Sequence, residues 1–301
     1  MLEKLVAFLR IVIAGLLLAV NSVVHILPLL VVALLKLILQ IRAVTTICDR
    51  ILAAIAASWI DVNSWLFDHL TATRIEVEGL PDEDLQGQML VICNHQSWVD
   101  IPVLQKLFNR RLPLLRFFLK SRLIWVPLLG LAWWALDFPF MKRYSREQIE
   151  RRPELAGRDI AATRRACRKF RHIPVAIVNF VEGRRFTRAR HDAQRSPYQH
   201  LLKPRAGGTA FTLDAMGDAL ETLIDVTIAY PDARSSLADL FANRIREIRV
   251  HVRQLPIPEQ LRGRDYRNDP EFRHAIQDWI NRLWAEKDAT LDRLKAADAN
   301  K

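Results

Sequence analysis

The chain has 301 residues, 50% of them hydrophobic, and 44 lysines and arginines against 33 acids give a formal net charge of +11. That length supports a large core, and the charge favours polyanionic surroundings: nucleic acid, an anionic membrane surface or phosphorylated substrates. Cys48, Cys93 and Cys167 are far apart and form no CxxC, which argues against a disulfide framework or a zinc site and fits a reducing compartment.

Residues 5–20 are apolar except for Arg10, and residues 23–35 except for His25 and Pro28, with Asn21 and Ser22 between the runs. One helix over residues 5–41 would be roughly 55 Å long, more than a hydrocarbon core of about 30 Å needs. The pattern therefore predicts two short helices turning near Asn21 and Ser22, a membrane-anchoring hairpin over residues 1–42. A buried hairpin of a soluble domain is the alternative. Lys4 and Arg10 flank one end, Lys36 and Arg42 the other, and the turn is uncharged. The positive-inside tendency places both ends on the cytoplasmic side. No small-residue cleavage site marks a signal peptide.

Over residues 43–72, Ile47, Ile51, Ile55, Trp59, Val62 and Leu66 recur at helical spacing with charges between them. This predicts an amphipathic interfacial helix, with Trp59 and Trp65 suited to a membrane surface. A helix packed on the domain explains the pattern equally well.

From Thr73 the composition becomes that of an α/β domain, extending to residue 301. Strands are predicted at residues 74–77, 88–93, 112–119, 138–141, 174–181, 222–230 and 245–254. Helices are predicted at 99–108, 145–171, 207–216 and 269–295. Alternating strands and helices argue for an α/β sheet.

Asn94, His95, Gln96, Ser97, Trp98, Val99 and Asp100 follow a hydrophobic strand. His95 thus sits where open α/β sheets place ligands. A turn there can bring the Asp100 carboxylate to one ring nitrogen and leave the other as a base for an alcohol. An N-cap Asp beside an ordinary His is the competing reading.

This segment resembles the NHxxxxD signature of the glycerolipid acyltransferases, and further blocks follow in order. Phe138, Pro139, Phe140, Met141, Lys142 and Arg143 resemble a second, and Phe180, Val181, Glu182, Gly183, Arg184, Arg185 and Phe186 a third, usually FPEGTR. Residues 224–230 occupy the place of a fourth, an apolar strand that normally carries prolines. The resemblance spans residues 73–232, and residues 117–143 look like the lysocardiolipin acyltransferase-like branch and its bacterial relatives. Val181 stands for the usual Pro and Arg184 for Thr; the fourth block has Asp225 and Thr227 instead of prolines.

The resemblance implies a mixed sheet flanked by helices, with His95 and Asp100 as the catalytic dyad. It also implies that Arg143, Glu182, Gly183 and Arg185 line the site for a phosphorylated acceptor. Physically, Gly183 allows close backbone approach, and Arg185 offers a fork of donors to phosphate. The expected reaction moves an acyl group from acyl-CoA or acyl-carrier protein to the hydroxyl of 1-acyl-glycerol-3-phosphate. Backbone donors near Asn94 and His95, or in the third block, are expected to hold the oxyanion. The expected partners are the bilayer, the lysophospholipid and the acyl donor, with no metal or redox cofactor, at the cytoplasmic face of a bacterial inner membrane. The alternatives are another acceptor, such as lysocardiolipin or lysophosphatidylglycerol, or a non-catalytic lipid-binding protein. Nothing beyond charge points to nucleic acid. Trp98, Trp125, Trp133 and Trp134 read foremost as core packing. Cys93 reads as a strand residue facing away from His95 rather than as a nucleophile.

Overall fold

The computed structural model describes residues 2–141, 151–152, 167, 170, 173–266 and 268–296. Most of the helix expected over 145–171 lies outside the described residues, as does Arg143.

The amino-terminal region is a hairpin, but its turn is not where the sequence put it. Helix α1 runs unbroken from Leu2 to Leu39, and α2 from Arg42 to Leu70. The reversal falls at residues 40–41, with Gln40 at φ 36°. Asn21 and Ser22 serve the packing of the two helices instead. Asn21 Nδ2 donates to the Trp59 carbonyl and, at 2.8 Å, to Asn63 Oδ1. Trp59 Nε1 donates to Ser22 Oγ, and His25 Nε2 lies 3.1 Å from Ser58 Oγ. Polar side chains joining two apolar helices are the expected glue where little else is directional. At 1.5 Å per residue α1 is about 57 Å long, and both helices are long and apolar enough to cross a membrane.

Helix α2 carries apolar residues on a buried face and on an exposed one. Its buried stripe is Cys48, Leu52, Ala56, Ile60, Leu66 and Phe67, whereas Ile47, Ile51 and Trp65 are exposed. The helix is packed on the domain: Asp61 receives Arg110 and Asn109, and Asp68 receives Lys106. At the far end of α1, Lys36 Nζ lies 2.6 Å from Asp49 Oδ1 and 3.4 Å from Asp137 Oδ2.

The domain is built on a six-stranded sheet. Its strands are β1 (Arg74–Glu78), β2 (Gln88–Cys93), β3 (Leu115–Phe117), β6 (Val175–Phe180), β7 (Thr222–Ala229) and β8 (Glu247–Pro256), in the order β1-β8-β7-β2-β6-β3. The β7–β8 pair is antiparallel and the other pairs are parallel, so the sheet is mixed as expected. A parallel pair of short strands, β4 (Leu119–Lys120) and β5 (Phe140–Met141), lies apart from it. The single strand expected over 112–119 is therefore two, because the chain leaves the main sheet at Phe118. Alternation along β2 explains the layers. Met89, Val91 and Cys93 join one buried cluster with helix α3 (Asp100–Phe108). Leu90 and Ile92 join the other, with the helices Gly207–Met216 and Pro270–Ala296.

Asp225 and Thr227, where the sequence lacks the fourth block's prolines, meet a buried lysine. Lys287 comes from the carboxyl-terminal helix, lies 2.5 Å from Asp225 Oδ1 and donates to Thr227 Oγ1. Arg253 takes the other carboxylate oxygen of Asp225. The departure from the family pattern thus docks a helix to the sheet.

Candidate active site

The site forms where three parallel strands end side by side. Cys93 of β2 is in register with Phe180 of β6 and with Val226 of β7. The loop 94–99, the loop 181–187 and Tyr230 therefore leave the sheet at one edge, the edge at which such sheets bind ligands.

Asn94 fixes the first loop by pairing like a peptide: its Nδ2 donates to the Ile228 carbonyl and its Oδ1 accepts from Ile228 N, each at 2.9 Å. Ser97 Oγ accepts from Val99 N and donates to the Ser235 carbonyl. The chain between them curls so that Asp100, the first residue of α3, returns to His95. Asp100 Oδ2 lies 2.9 Å from His95 Nδ1 and also accepts from Gln96 N and Ser97 N. Asp100 Oδ1 accepts from the Tyr230 hydroxyl at 2.6 Å. Asp100 is fully buried. It caps no helix, since its donors precede α3, and the competing N-cap reading falls.

A carboxylate at Nδ1 makes that nitrogen the donor and leaves Nε2 as the base of the ring. His95 is also stacked on Phe180, with ring centroids 4.0 Å apart. The imidazole is thus held at its edge and across its face.

Glu182 does not line the cavity. It is fully buried beneath the loop, where Oε1 accepts from His95 N at 2.9 Å and Oε2 from Leu202 N at 3.1 Å. Burial pushes its carboxyl up to about 8, against the pull of those two N–H donors. Its place is to hold the His95 backbone. Of the N–H groups near the expected oxyanion site, His95 N donates to Glu182, Gln96 N and Ser97 N to Asp100, and Gly183 N to the Phe180 carbonyl.

His95 opens on a cavity of about 500 Å³. Gly183 and Arg185 line it, and so do Arg184, Lys120, Arg122 and Arg190. Gly183 adopts φ 68°, a conformation suited to glycine. The Arg185 guanidinium sits 4.8 Å from the Trp98 ring centre, and Arg190 donates to the Arg185 carbonyl. Phe117, Leu119 and Ile101 supply apolar wall. Trp98 and Ile101 also line a second cavity of about 300 Å³, bounded by Trp59, Ile60, Phe67 and Phe241. The core-packing expectation holds for Trp133 alone of the four tryptophans, because Trp98, Trp125 and Trp134 are half exposed or more. Cys93 is wholly buried, and burial pushes its thiol well up, which suits an inert packing residue.

The acyltransferase family profile matches residues 74–230, more than half of the chain. The chain belongs to the acyltransferase family. It is 28% identical over 265 residues to lysocardiolipin acyltransferase 1 of Danio rerio, covering 82% of this chain and 61% of that one. It is 24% identical over 245 residues to the 2-acyl-1-lysophosphatidylinositol acyltransferase of Saccharomyces cerevisiae, covering 69% and 62%. This family member thus spans about three fifths of the length of the curated relatives it matches. Its fold matches the crystal structure of the 1-acyl-sn-glycerophosphate (LPA) acyltransferase PlsC from Thermotoga maritima at TM-score 0.56 and 15% identity. That match covers 96% of this chain and 98% of the other.

Proposed function

We propose that the chain transfers a fatty acyl group from a thioester donor, acyl-CoA or acyl-carrier protein, to the free hydroxyl of a lysophospholipid, foremost 1-acyl-glycerol-3-phosphate. The observation that carries this reading is the His95–Asp100 pair at the wall of a cavity rich in arginine. His95 Nε2 takes the proton of the acceptor hydroxyl as its oxygen attacks the thioester carbonyl. The carbon–sulfur bond breaks, and the thiol leaves with a proton. Asp100 keeps the ring in the required tautomer and stabilises the charge it acquires. Arg185, with Arg184 and Arg122 beside it, receives the acceptor phosphate.

The names of the relatives support a phosphate-bearing acceptor while differing in head group, so lysocardiolipin and lysophosphatidylglycerol stand as alternative acceptors. The apolar cavity across Trp98 suits an acyl chain. The hairpin of α1 and α2 suits a bilayer, and the three free, buried cysteines suit a domain on the reducing, cytoplasmic side of a bacterial inner membrane.

The test is a mass-spectrometric product profile over a panel of lysophospholipids and acyl donors, run beside His95→Ala. General-base catalysis contributes about 10²–10⁴-fold, so the folded variant should retain activity near background. Near wild-type turnover by folded His95→Ala would sink the dyad, and no product from any acceptor would favour a lipid-binding protein.

A further inference from the structure

Residues 121–135 connect the cavity to the hairpin and are built unlike an ordinary surface loop. Lys120, Arg122 and Leu123 line the cavity with His95. A short helical turn, Ser121–Trp125, follows, and the chain then doubles back into a helix, α4 (Leu129–Ala135). The reversal is constrained. Leu128 sits at φ 60°, which side-chain-bearing residues rarely adopt, and a Cβ on Gly130 would collide with the Ile124 carbonyl. One face of α4 packs on α1: Leu129, Ala132 and Ala135 join Ile26, Leu29 and Ala33 in one apolar cluster. The other face and the turn hold large apolar side chains outward. Trp125 is 85% exposed, Trp134 52%, Leu131 50% and Leu128 37%.

We propose that this tryptophan–leucine face is a second membrane contact, which seats in the leaflet beside the hairpin and brings the cavity mouth to the lipid surface. The inference rests on the membrane reading of the hairpin given above. Three observations commit the face to lipid. It is continuous with the apolar surface of α1 through the α4 contact. Its two tryptophans are the residue type that settles at the boundary between hydrocarbon and head groups. Lys120 and Arg122 lie at its border with the cavity, where they meet anionic head groups in a chain of net charge +11. A lysophospholipid then passes between leaflet and cavity alongside Arg122 and Leu123, its phosphate following the cations while its chain stays in apolar surroundings.

Because Cys48, Cys93 and Cys167 are buried, single introduced cysteines can be labelled in the full chain. The probes are Trp125→Cys and Leu131→Cys on the face, Val24→Cys on the exposed side of α1, and Glu259→Cys at the opposite edge of the sheet. Each carries an environment-sensitive fluorophore on protein in phosphatidylcholine–phosphatidylglycerol vesicles. Spin-labelled lipid should quench positions 125 and 131 as it quenches position 24, with iodide ineffective there; position 259 should show the reverse. If position 24 is quenched by lipid while 125 and 131 are quenched only by iodide, the second contact is wrong and the anchor stands. Shielding of 125 from both quenchers points to a second copy on this face and also overturns the proposal. If position 24 itself escapes lipid quenching, the anchor reading fails first.

Discussion

Two fully buried carboxyl groups hold His95, and they hold different parts of it. Asp100 takes the ring at Nδ1 and gathers Gln96 N, Ser97 N and the Tyr230 hydroxyl around itself. Glu182 takes the peptide nitrogen of the same residue and ties it to Leu202 N on another segment. One of the two, Asp100, sets which nitrogen of the imidazole carries the proton. The other sets where the imidazole stands. Chemically alike groups in equally dry surroundings thus separate into electronic and mechanical roles according to what donates to them.

The largest effect expected from breaking this division is at Asp100. Asp100→Asn keeps the shape but cannot serve as acceptor to every present donor, and it loses the charge that stabilises the protonated ring. Steady-state turnover should fall on the order of 10³–10⁴-fold, as when an orienting Asp of a hydrolase triad is replaced. Combined with His95→Ala it should add almost nothing, because the pair acts as a unit. Additive losses would show that Asp100 acts elsewhere.

Glu182→Gln should invert the pattern. A glutamine amide nitrogen cannot accept from an N–H, so one buried donor loses its partner, at about 1–3 kcal/mol of folding stability. Urea unfolding should record that loss, with turnover falling less than in Asp100→Asn. The same experiment carries a pH signature. The folded carboxyl holds its proton up to about 8, whereas its ordinary value is 4.5. Between those values the folded state binds more protons than the unfolded one. The stability linked to this group is therefore full below about 4.5 and is lost as pH rises through 8. Glu182→Gln should flatten that slope, and an unchanged slope would mean that another group produces it.

The smallest effect is expected at Tyr230, which only steadies Asp100. Tyr230→Phe removes one hydrogen bond to a carboxylate. A loss of about 1.5 kcal/mol corresponds to roughly tenfold in turnover, with acceptor dependence unchanged. A rise in acceptor KM instead would place Tyr230 against the substrate.

The same contrast explains what could be read from the sequence. His95 and Asp100 are five positions apart, so one turn decides their meeting, and the turn lies between a continuous apolar strand and a recognisable helix. Strand β2 and the helix Gly207–Met216 were legible for the same reason, since short-range pattern determines them. Glu182 was misassigned to the substrate because its partner, His95 N, is 87 positions away. The hairpin turn was misplaced because Asn21 looks like a break in an apolar run until Trp59 and Asn63 arrive to receive it. Trp125 carries no local sign that its ring points outward. In each case a polar or aromatic side chain took its meaning from a partner, or from the lack of cover, that folding alone supplies.

Lys36 gives the arrangement a further consequence. By lying against both Asp49 and Asp137, it ties the end of α1 to the next helix and to the residues that follow α4. Hairpin and cavity wall are thereby joined by ion pairs as well as by apolar packing. Under the membrane reading proposed above, the acceptor reaches the cavity by diffusing within the plane of the bilayer. The quantity that governs its rate is then the number of acceptor molecules per unit area of lipid, and diluting the vesicles in buffer leaves that number untouched.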